Sequence, residues 1–191
     1  MPTSDAELAR RALAGSQAAY SELVERYASP AVNVAVRLVN DRALAEELAQ
    51  EAFVRAFARL GTFDQERRFS SWFFQILHNV SVDYLRRRRV ETVSLDALLT
   101  AGHAGPADDP GSSPESEAER GELAAALMEA LGRLRHEFRE AVVLKYQQGL
   151  SVDEIATILR VPEGTVKTYL YRARKELATI LSAAGWGPGD R

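Results

Sequence analysis

The sequence predicts an all-α protein of two helical domains that a flexible linker joins, and three observations lead to this prediction. Apolar residues recur at helical intervals on both sides of the middle of the chain, which is the pattern of helices with one buried face. Helix-capping residues precede several of these segments. The middle of the chain is rich in glycine, proline and acidic residues, and such a segment cannot assemble an apolar face.

Composition limits the kinds of site that the chain can carry. The 191 residues are enough for two small domains. There is no cysteine, which excludes disulfides and cysteine-ligated metals. The histidines, His78, His103 and His136, lack the spacing of metal ligands. We therefore expect no metal, no cofactor, no catalytic residues and no enzymatic activity. Because no apolar run is long enough to span a membrane and no basic flank precedes an apolar stretch at the start, we expect a cytoplasmic protein.

Charge is distributed unevenly along the chain. Residues 66–89 carry six arginines against two acidic residues, and residues 160–175 carry five basic residues against one acidic residue. Between them, residues 96–122 carry seven acidic residues against one arginine. Two basic patches thus flank an acidic spacer, although the chain as a whole is slightly negative, and clustered positive charge is typical of nucleic-acid binding.

The acidic spacer defines the domain organisation. Thr100 to Glu119 combines glycines, prolines and serines with acids, so we expect it to be flexible. We place a first domain at residues 1–95, a flexible acidic linker at 96–120 and a second domain at 121–185.

Capping signals predict the first helices. Ser4 with Glu7 has the spacing of a capping box, and Ser16 can cap a following amphipathic helix. Pro30 permits a new helix start. The apolar segment Ala31 to Val39 is then a further, buried helix.

Two longer helices complete the first domain. Asp41 is a natural N-cap for an amphipathic helix from Arg42 to Leu60 with an acidic outer face. Ser70 or Ser71 can cap the next helix, which we expect from Trp72 to about Arg88. That helix ends in four consecutive arginines, and positive charge suits the negative end of a helix dipole.

The second domain begins with two predicted helices, Glu122 to Leu134 and His136 to Gln147. A short helix to about Leu159 follows, because Ser151 with Glu154 forms a second capping box. Leu150 and Ile155 supply the hydrophobic staple that fixes how the chain enters this helix.

A tight break then leads into the last helix, which we expect to run to about Ala183. Pro162 suits its first turn. A short helix, a brief turn and a longer helix make a helix-turn-helix, and Ala156 is small enough for the close helix contact. Arg160 departs from the glycine that such turns often use, and a non-glycine residue at positive φ costs roughly 1 kcal/mol.

The outward face of the last helix suits DNA. Thr165 and the helix N-terminal amides can meet phosphates, and basic side chains can reach phosphates or guanine edges. The residues left outside the packed positions are Glu163, Lys167, Thr168, Tyr171, Arg172, Arg174 and Lys175. An ordinary helical hairpin is the alternative for such a pattern taken alone.

Three sequence strings resemble one family. Pro162 to Arg174, PEGTVKTYLYRAR, resembles the recognition helix of extracytoplasmic-function sigma factors, the compact members of the sigma-70 family. Asp41 to Phe53, DRALAEELAQEAF, and Phe69 to Arg87, FSSWFFQILHNVSVDYLRR, are similar to the same family. The resemblance spans both domains in the expected order, and it implies a sigma region 2 bundle followed by a sigma region 4 helix-turn-helix.

The resemblance also implies roles for individual residues. The second domain would bind the −35 promoter element through Thr165, Lys167, Thr168, Tyr171, Arg172, Arg174 and Lys175. Tyr169 stands where the family often has a basic residue. The first domain would recognise and open the −10 element through Thr62, Phe63, Arg68, Phe74, Asn79, Arg86 and Arg87. Phe74 could instead be a core residue, and Asn79 could be a solvated helix residue.

The partners implied by the resemblance are the RNA polymerase core, promoter DNA and an anti-sigma factor. The acidic helix would dock on the clamp helices of the largest polymerase subunit through Glu47, Leu48, Gln50, Glu51 and Phe53. The second domain would contact the flap of the second-largest subunit. The function implied is promoter recognition, strand opening and transcription initiation.

Two other functions stay open on the residues alone. A self-contained helix-turn-helix regulator would bind duplex operator without polymerase, but it should carry a phospho-acceptor or a ligand pocket in its first domain. A small helical enzyme could use Glu46 and Glu47, or Asp108 and Asp109, as paired acids. Adjacent residues on a helix point apart, and the two aspartates fall in the predicted linker, so an enzyme is the weaker alternative.

Overall fold

The computed structural model describes residues 3–92 and 114–187, and the regular elements in these ranges are all helical. A 3-10 turn, Leu60–Thr62, follows α3. We call α1 to α4 the first unit and α5 to α8 the second unit. The helices are α1 Asp5–Leu13, α2 Gln17–Val39, α3 Arg42–Ala58, α4 Phe69–Thr92, α5 Pro114–Arg133, α6 His136–Tyr146, α7 Val152–Leu159 and α8 Glu163–Ala183.

The predicted N-caps of α1, α2 and α3 are confirmed. The hydroxyl of Ser4 accepts from the backbone of Glu7 at 3.3 Å, and that of Ser16 accepts from Ala19 at 3.4 Å. The carboxylate of Asp41 accepts from the backbone of Leu44 at 3.1 Å. Each cap satisfies one of the amides that a helix leaves without a partner. These three local signals therefore place the starts of α1, α2 and α3.

The predicted helix break at Pro30 is wrong, because α2 runs through this residue without interruption. Proline removes one helical hydrogen bond. Burial compensates, since Leu23 before the proline and Ala31 and Val34 after it all lie in the core. The helix ends instead at Asn40, which adopts a left-handed conformation with φ 54°.

The start of α4 also differs from the prediction. The helix begins at Phe69, and both Ser70 and Ser71 lie inside it rather than at its cap. The backbone amide of Trp72 already donates to the carbonyl of Arg68 at 3.3 Å. Phe69 is buried, so the apolar anchor of this first turn determines the start.

Aromatic rings fill the core of the first unit. Phe73 is fully buried at its centre, with its ring centroid 4.7 Å from that of Phe53 and 5.5 Å from that of Tyr27. Tilted and edge-on contacts of this kind are favourable arrangements of aromatic rings. The hydroxyl of Tyr27 donates to the carboxylate of Asp5 at 2.5 Å, which ties α1 to α2.

In the second unit, α5 begins at Pro114, so this helix includes residues 114–120, which the sequence prediction assigned to the linker. Proline is well suited to the first position of a helix, and the glutamates and alanines that follow it in the sequence favour helix. The remaining predicted linker residues from 96 to 113 lie outside the described ranges.

The helix-turn-helix forms as expected. Ser151 and Glu154 make both bonds of a capping box. Leu150 and Ile155, the predicted staple, are both fully buried. Arg160 adopts φ 56° and ψ 44°, so the predicted left-handed arginine is confirmed. The chain therefore turns from α7 to α8 within a few residues.

The two units pack against each other, which the sequence did not predict. α2 lies against α6, and α4 lies against α7. Arg139 of α6 bridges the units, donating to the carbonyl of Arg37 at 3.0 Å and to those of Gly132 and Leu134 at 2.6 and 3.0 Å. Burial lowers the pKa of Arg139, and carbonyls at the ends of α2 and α5 stabilise its positive charge.

None of the helices in residues 3–92 and 114–187 combines the length and the apolar character that a membrane crossing requires.

Candidate nucleic-acid interface

The outer face of α8 is open to solvent. Its members are the predicted residues Lys167, Thr168, Tyr171, Arg172, Arg174 and Lys175, and all six are exposed. The opposite face packs into the second unit through Val166, Leu170 and Ala173, which are buried. Helical periodicity thus separates a packed apolar face from a basic face with one exposed aromatic ring, Tyr171.

Hydrogen bonds within α8 define which groups this helix presents. The hydroxyl of Thr168 donates to the carbonyl of Gly164 at 2.8 Å, and Lys167 lies 3.7 Å from the carboxylate of Glu163. The amide of Thr165 donates to the carbonyl of Pro162 at 2.9 Å. The hydroxyl of Thr165, rather than its amide, is therefore the group that could meet a phosphate.

Tyr169, which replaces a residue that is often basic in the resembling family, has a packing role. Its ring lies 5.4 Å from that of Phe138 on α6. The tyrosine therefore joins α8 to α6 instead of reaching outward.

A row of polar side chains, of which the sequence singled out Arg68 alone as a candidate, lies along the side of α4 facing the second unit. We call it the α4 polar stripe: Arg68, Ser71, Gln75 and His78. Arg68 immediately precedes α4, and the other three recur at helical spacing, which places them on one face. Every member contacts the second unit.

Arg68 and Ser71 bind one carboxylate of the second unit. Arg68 lies 3.5 Å from the carboxylate of Glu154 and 3.4 Å from the carbonyl of Gly149. The hydroxyl of Ser71 donates to the same carboxylate. Burial favours the neutral form of Glu154, but the hydrogen bonds from Ser71 and Ser151, with the charge of Arg68, outweigh it and lower the pKa of Glu154.

Farther along the stripe, His78 binds a second carboxylate. Its Nδ1 shares a hydrogen bond with Glu140, which is only 2% exposed. His136 of the same helix as Glu140 lies 3.8 Å from that carboxylate. Between the two carboxylates, the side-chain amide of Gln75 donates to the carbonyl of Thr157 at 3.4 Å.

Across the part of the chain that the structure describes, no three histidine, aspartate or glutamate side chains are arranged so that they could hold a metal ion. Glu140 instead accepts from His78, which gives the buried carboxylate a hydrogen-bonding partner.

The remaining predicted −10 residues fall into two groups. Thr62 and Arg87 are exposed, and Arg86 is exposed with its guanidinium 3.3 Å from Asp83. Asn79 is half-buried next to the α4 polar stripe. These polar groups are accessible at the surface of the first unit, and the side chain of Arg89 lies outside the described residues.

The prediction that Phe63 and Phe74 hold bases needs correction. Phe63 is 8% exposed and Phe74 is 1% exposed, and both rings pack against other aromatic rings of the core. A ring in the core has no face free for a base. The half-buried Trp72 beside them lines an open cleft between the units, together with Arg67 and Arg68, and the sequence prediction missed it.

The acidic helix α3 presents most of its predicted docking residues. Glu47, Gln50 and Glu51 are exposed. Leu48 is buried, and Phe53 is half-buried against Phe73, so the prediction is wrong for Leu48 and leaves Phe53 little surface.

Val54 is an additional candidate on α3, because it is 64% exposed on the same helix. Its signal in the sequence is an apolar residue out of phase with the buried positions Leu48, Ala52 and Ala56.

Comparison with protein families finds two matches in the order of the units. The family described as Sigma-70 region 2 matches residues 23–91, and the family described as Sigma-70, region 4 matches residues 124–177. The first match covers α3 and the α4 polar stripe, and the second covers the helix-turn-helix.

Several curated relatives match over most of their length. The chain is 35% identical to the ECF RNA polymerase sigma factor SigW of Bacillus subtilis over 170 residues, which cover 85% of this chain and 89% of that protein. It is 32% identical to the RNA polymerase sigma-H factor of Pseudomonas aeruginosa over 182 residues, 93% of each chain. It is 30% identical to the ECF RNA polymerase sigma-E factor of Escherichia coli, over 91% of this chain and 92% of that one.

Two solved structures are also similar. The structure of CnrH in complex with the cytosolic domain of CnrY matches with a TM-score of 0.66 at 27% identity, over 95% of this chain and 99% of that chain. The sigma factor RpoE of Bartonella quintana, solved with the anti-sigma factor NepR, matches with a TM-score of 0.72 at 24% identity, over 85% of this chain and 96% of that chain. The second likeness supports the fold alone.

Proposed function

We propose a DNA-binding and polymerase-binding mode for this chain, which belongs to the sigma-70 family and is an extracytoplasmic-function RNA polymerase sigma factor directing transcription initiation. The second unit reads the −35 element through the outer face of α8. The first unit recognises and opens the −10 element through α4 and the loop before it, and α3 docks on the polymerase core. The chain supplies no chemistry of its own, because the polymerase catalyses RNA synthesis.

The exposed outer face of α8 is the observation that carries the −35 assignment. Lys167 and Arg172 are exposed there, and their side chains can contact phosphates or guanine edges in the major groove. Tyr171 can pack against a sugar or a thymine methyl group. The short α7 would cross the backbone while α8 enters the groove, which is how helix-turn-helix proteins dock.

The first unit suits an opened strand. Single-stranded DNA is held by stacking on aromatic side chains next to positive charge. Trp72 lies beside Arg67 and Arg68 at the cleft, and in our proposal it replaces the buried Phe63 and Phe74 as the stacking residue. Asn79 can read an exposed base edge, and Arg86 and Arg87 can follow the backbone.

The polymerase contact is assigned to the acidic side of α3. Glu47, Gln50 and Glu51 would bind basic residues of the clamp helices, and Val54 would add an apolar contact. The flap of the second-largest subunit would bind the second unit. We place the domain boundaries at residues 1–95 and 114–185, with the linker shortened to 96–113. We also propose an anti-sigma factor as a partner, because the resembling family is commonly regulated by one and the sigma factor RpoE, a protein of similar fold, was solved with one.

Transcription from a promoter library by core polymerase, with and without the protein, tests this function. New start sites are expected only when the protein is present. Arg172→Ala should reduce their number, whereas Arg133→Ala, which removes an exposed arginine of α5, should not. If no new start sites appear while the protein alone binds duplex DNA, the helix-turn-helix regulator becomes the better assignment.

A further inference from the structure

The surface assigned to the −10 element is partly covered by the second unit. All four members of the α4 polar stripe contact α6, α7 or the segment leading into α7. The outer face of α8 is exposed at the same time. One of the two proposed DNA-binding surfaces is therefore fully available in this arrangement, and the other is covered along the α4 polar stripe.

The groups that cover the stripe resemble the DNA backbone in their chemistry. Glu154 offers an anionic oxygen to the guanidinium of Arg68 and to the hydroxyl of Ser71. Arginine, serine and glutamine side chains are the same donors that bind phosphate oxygens in protein–DNA complexes. Glu140 places a second anion against His78. The stripe thus binds two carboxylates where it could bind two phosphates.

The contact between the two units is also of a kind that can open and be replaced by a contact with another partner. Contacts between domains of one chain are typically more polar than those of permanent assemblies. Arg68 keeps 58% of its side chain exposed while it pairs with Glu154, so solvent reaches one side of this contact. The cleft beside it, lined by Trp72, Arg67 and Gln75, already opens between the units.

We propose that the α4 polar stripe has two alternative partners: Glu140 and Glu154 of the chain's own second unit, and the phosphates of the −10 promoter strand. This inference rests on the proposed function, because it assumes that α4 binds DNA. In the closed arrangement the carboxylates occupy the stripe, and the promoter strand displaces them. The −35 face needs no such displacement.

Competition of this kind lowers the apparent affinity for the −10 strand. For a ligand that binds only the open form, the apparent dissociation constant equals the intrinsic constant divided by the open fraction. Removing the two carboxylate charges should raise that fraction. We expect single-stranded DNA to bind about tenfold more tightly, and duplex −35 binding to change little.

The test uses the absence of cysteine in the chain. Ala58→Cys on α3 and Ala178→Cys on α8 place spin labels at exposed positions, one in each unit. Pulsed electron paramagnetic resonance then measures the distance between the units. In this background Glu140→Gln with Glu154→Gln is compared with a matched control, Glu129→Gln with Glu137→Gln, which changes two exposed glutamates of the same unit.

The expected results are specific to the first pair. Glu140→Gln with Glu154→Gln should lengthen and broaden the distance distribution and should tighten binding of a short, fluorescein-labelled, single-stranded DNA of mixed sequence. The control pair should do neither. Adding that DNA to the unsubstituted sequence should shift its distances toward those of the double variant.

The single variant Glu154→Gln is the control for misfolding, because glutamine can also serve in a capping box. Circular dichroism measures its helix content. Unchanged distances and unchanged DNA affinity in the folded single and double variants would overturn the proposal. Failure of the proposed function looks different: the unsubstituted protein would then yield no new start sites with core polymerase. The two failures are therefore distinguishable.

Discussion

The two units present the helices that we propose bind DNA in opposite ways. The outer face of α8 projects into solvent, whereas the α4 polar stripe lies against the second unit and is paired with Glu140 and Glu154. Both faces show the same helical periodicity of polar residues. Periodicity therefore indicates that a face is not part of the core of its own unit, but it does not indicate what the face contacts.

The cores differ as well. The first unit packs aromatic rings around Phe73, and the second packs mostly aliphatic side chains such as Ile155, Val166 and Leu170. Large rings bury more surface per residue than aliphatic side chains do. We expect the first unit to depend more strongly on single core residues.

The largest expected effect is that of Phe73→Ala. Truncating a fully buried phenylalanine should destabilise the first unit by about 3–5 kcal/mol. Urea unfolding measures it, followed by circular dichroism and by tryptophan fluorescence in a Trp186→Phe background, where Trp72 is the only tryptophan. Leu13→Ala, at an exposed position, should change stability by less than about 0.5 kcal/mol. If the second unit unfolds in the same transition, the two units form one cooperative block and the comparison between their cores fails.

A smaller effect is expected on the open surface. Arg172→Ala should weaken binding to a duplex −35 element by about 1–3 kcal/mol if its guanidinium reads a base, and by less if it binds only a phosphate. Fluorescence anisotropy at one fixed salt concentration measures it, because phosphate contacts depend on salt. Equal affinities for Arg172→Ala and the Arg133→Ala control would argue against α8 as the reading helix.

The helix caps allow a matched comparison between the units. Ser151→Ala should cost about 1 kcal/mol of stability, because the hydroxyl of Ser151 both accepts from the backbone of Glu154 at 3.4 Å and donates to its carboxylate at 2.8 Å. Ser16→Ala removes a single bond of 3.4 Å and should cost less. Thermal unfolding of both variants gives the difference. An equal loss would show that the bond from the Ser151 hydroxyl to the Glu154 carboxylate adds nothing to the cap.

The smallest effect concerns pH. The pKa of Glu154 is lowered in the folded chain. The ionised carboxylate therefore contributes fully to folding stability above the ordinary pKa of 4.5, and this contribution is lost as the pH falls through the lower pKa of the folded chain. Because Arg68 is largely exposed, the loss should stay below about 1 kcal/mol. Distances between labels at positions 58 and 178, measured from neutral to acid pH, should lengthen in acid. The Glu154→Gln chain should lack this component.

Local signals account for what the sequence could predict. Helix caps can be predicted without knowledge of the fold, because each capping side chain accepts from a backbone amide three residues away. This holds for Ser16, Asp41 and Ser151. Arg160 is determined in the same way by the short turn around it. The boundaries that these residues fix are confirmed.

Distant contacts account for what it could not predict. His78 and Glu140 are 62 residues apart in sequence, and nothing near either residue marks the other as its partner. Pro30 is a helix breaker by its local chemistry, and only burial against neighbouring helices keeps α2 continuous. From the sequence alone, Phe74 could be either a base-stacking residue or a core residue. Its burial in the structure makes it a core residue.

The bridge made by Arg139 has a consequence for how the units can separate. Its guanidinium is half-buried and held by three backbone carbonyls, so dissolved ions screen it less than they screen the largely exposed Arg68 in its pair with Glu154. Rising ionic strength should therefore loosen the α4 side before the α2 side. We expect the second unit to rotate away from the first unit about the end of α2, rather than to separate from it completely.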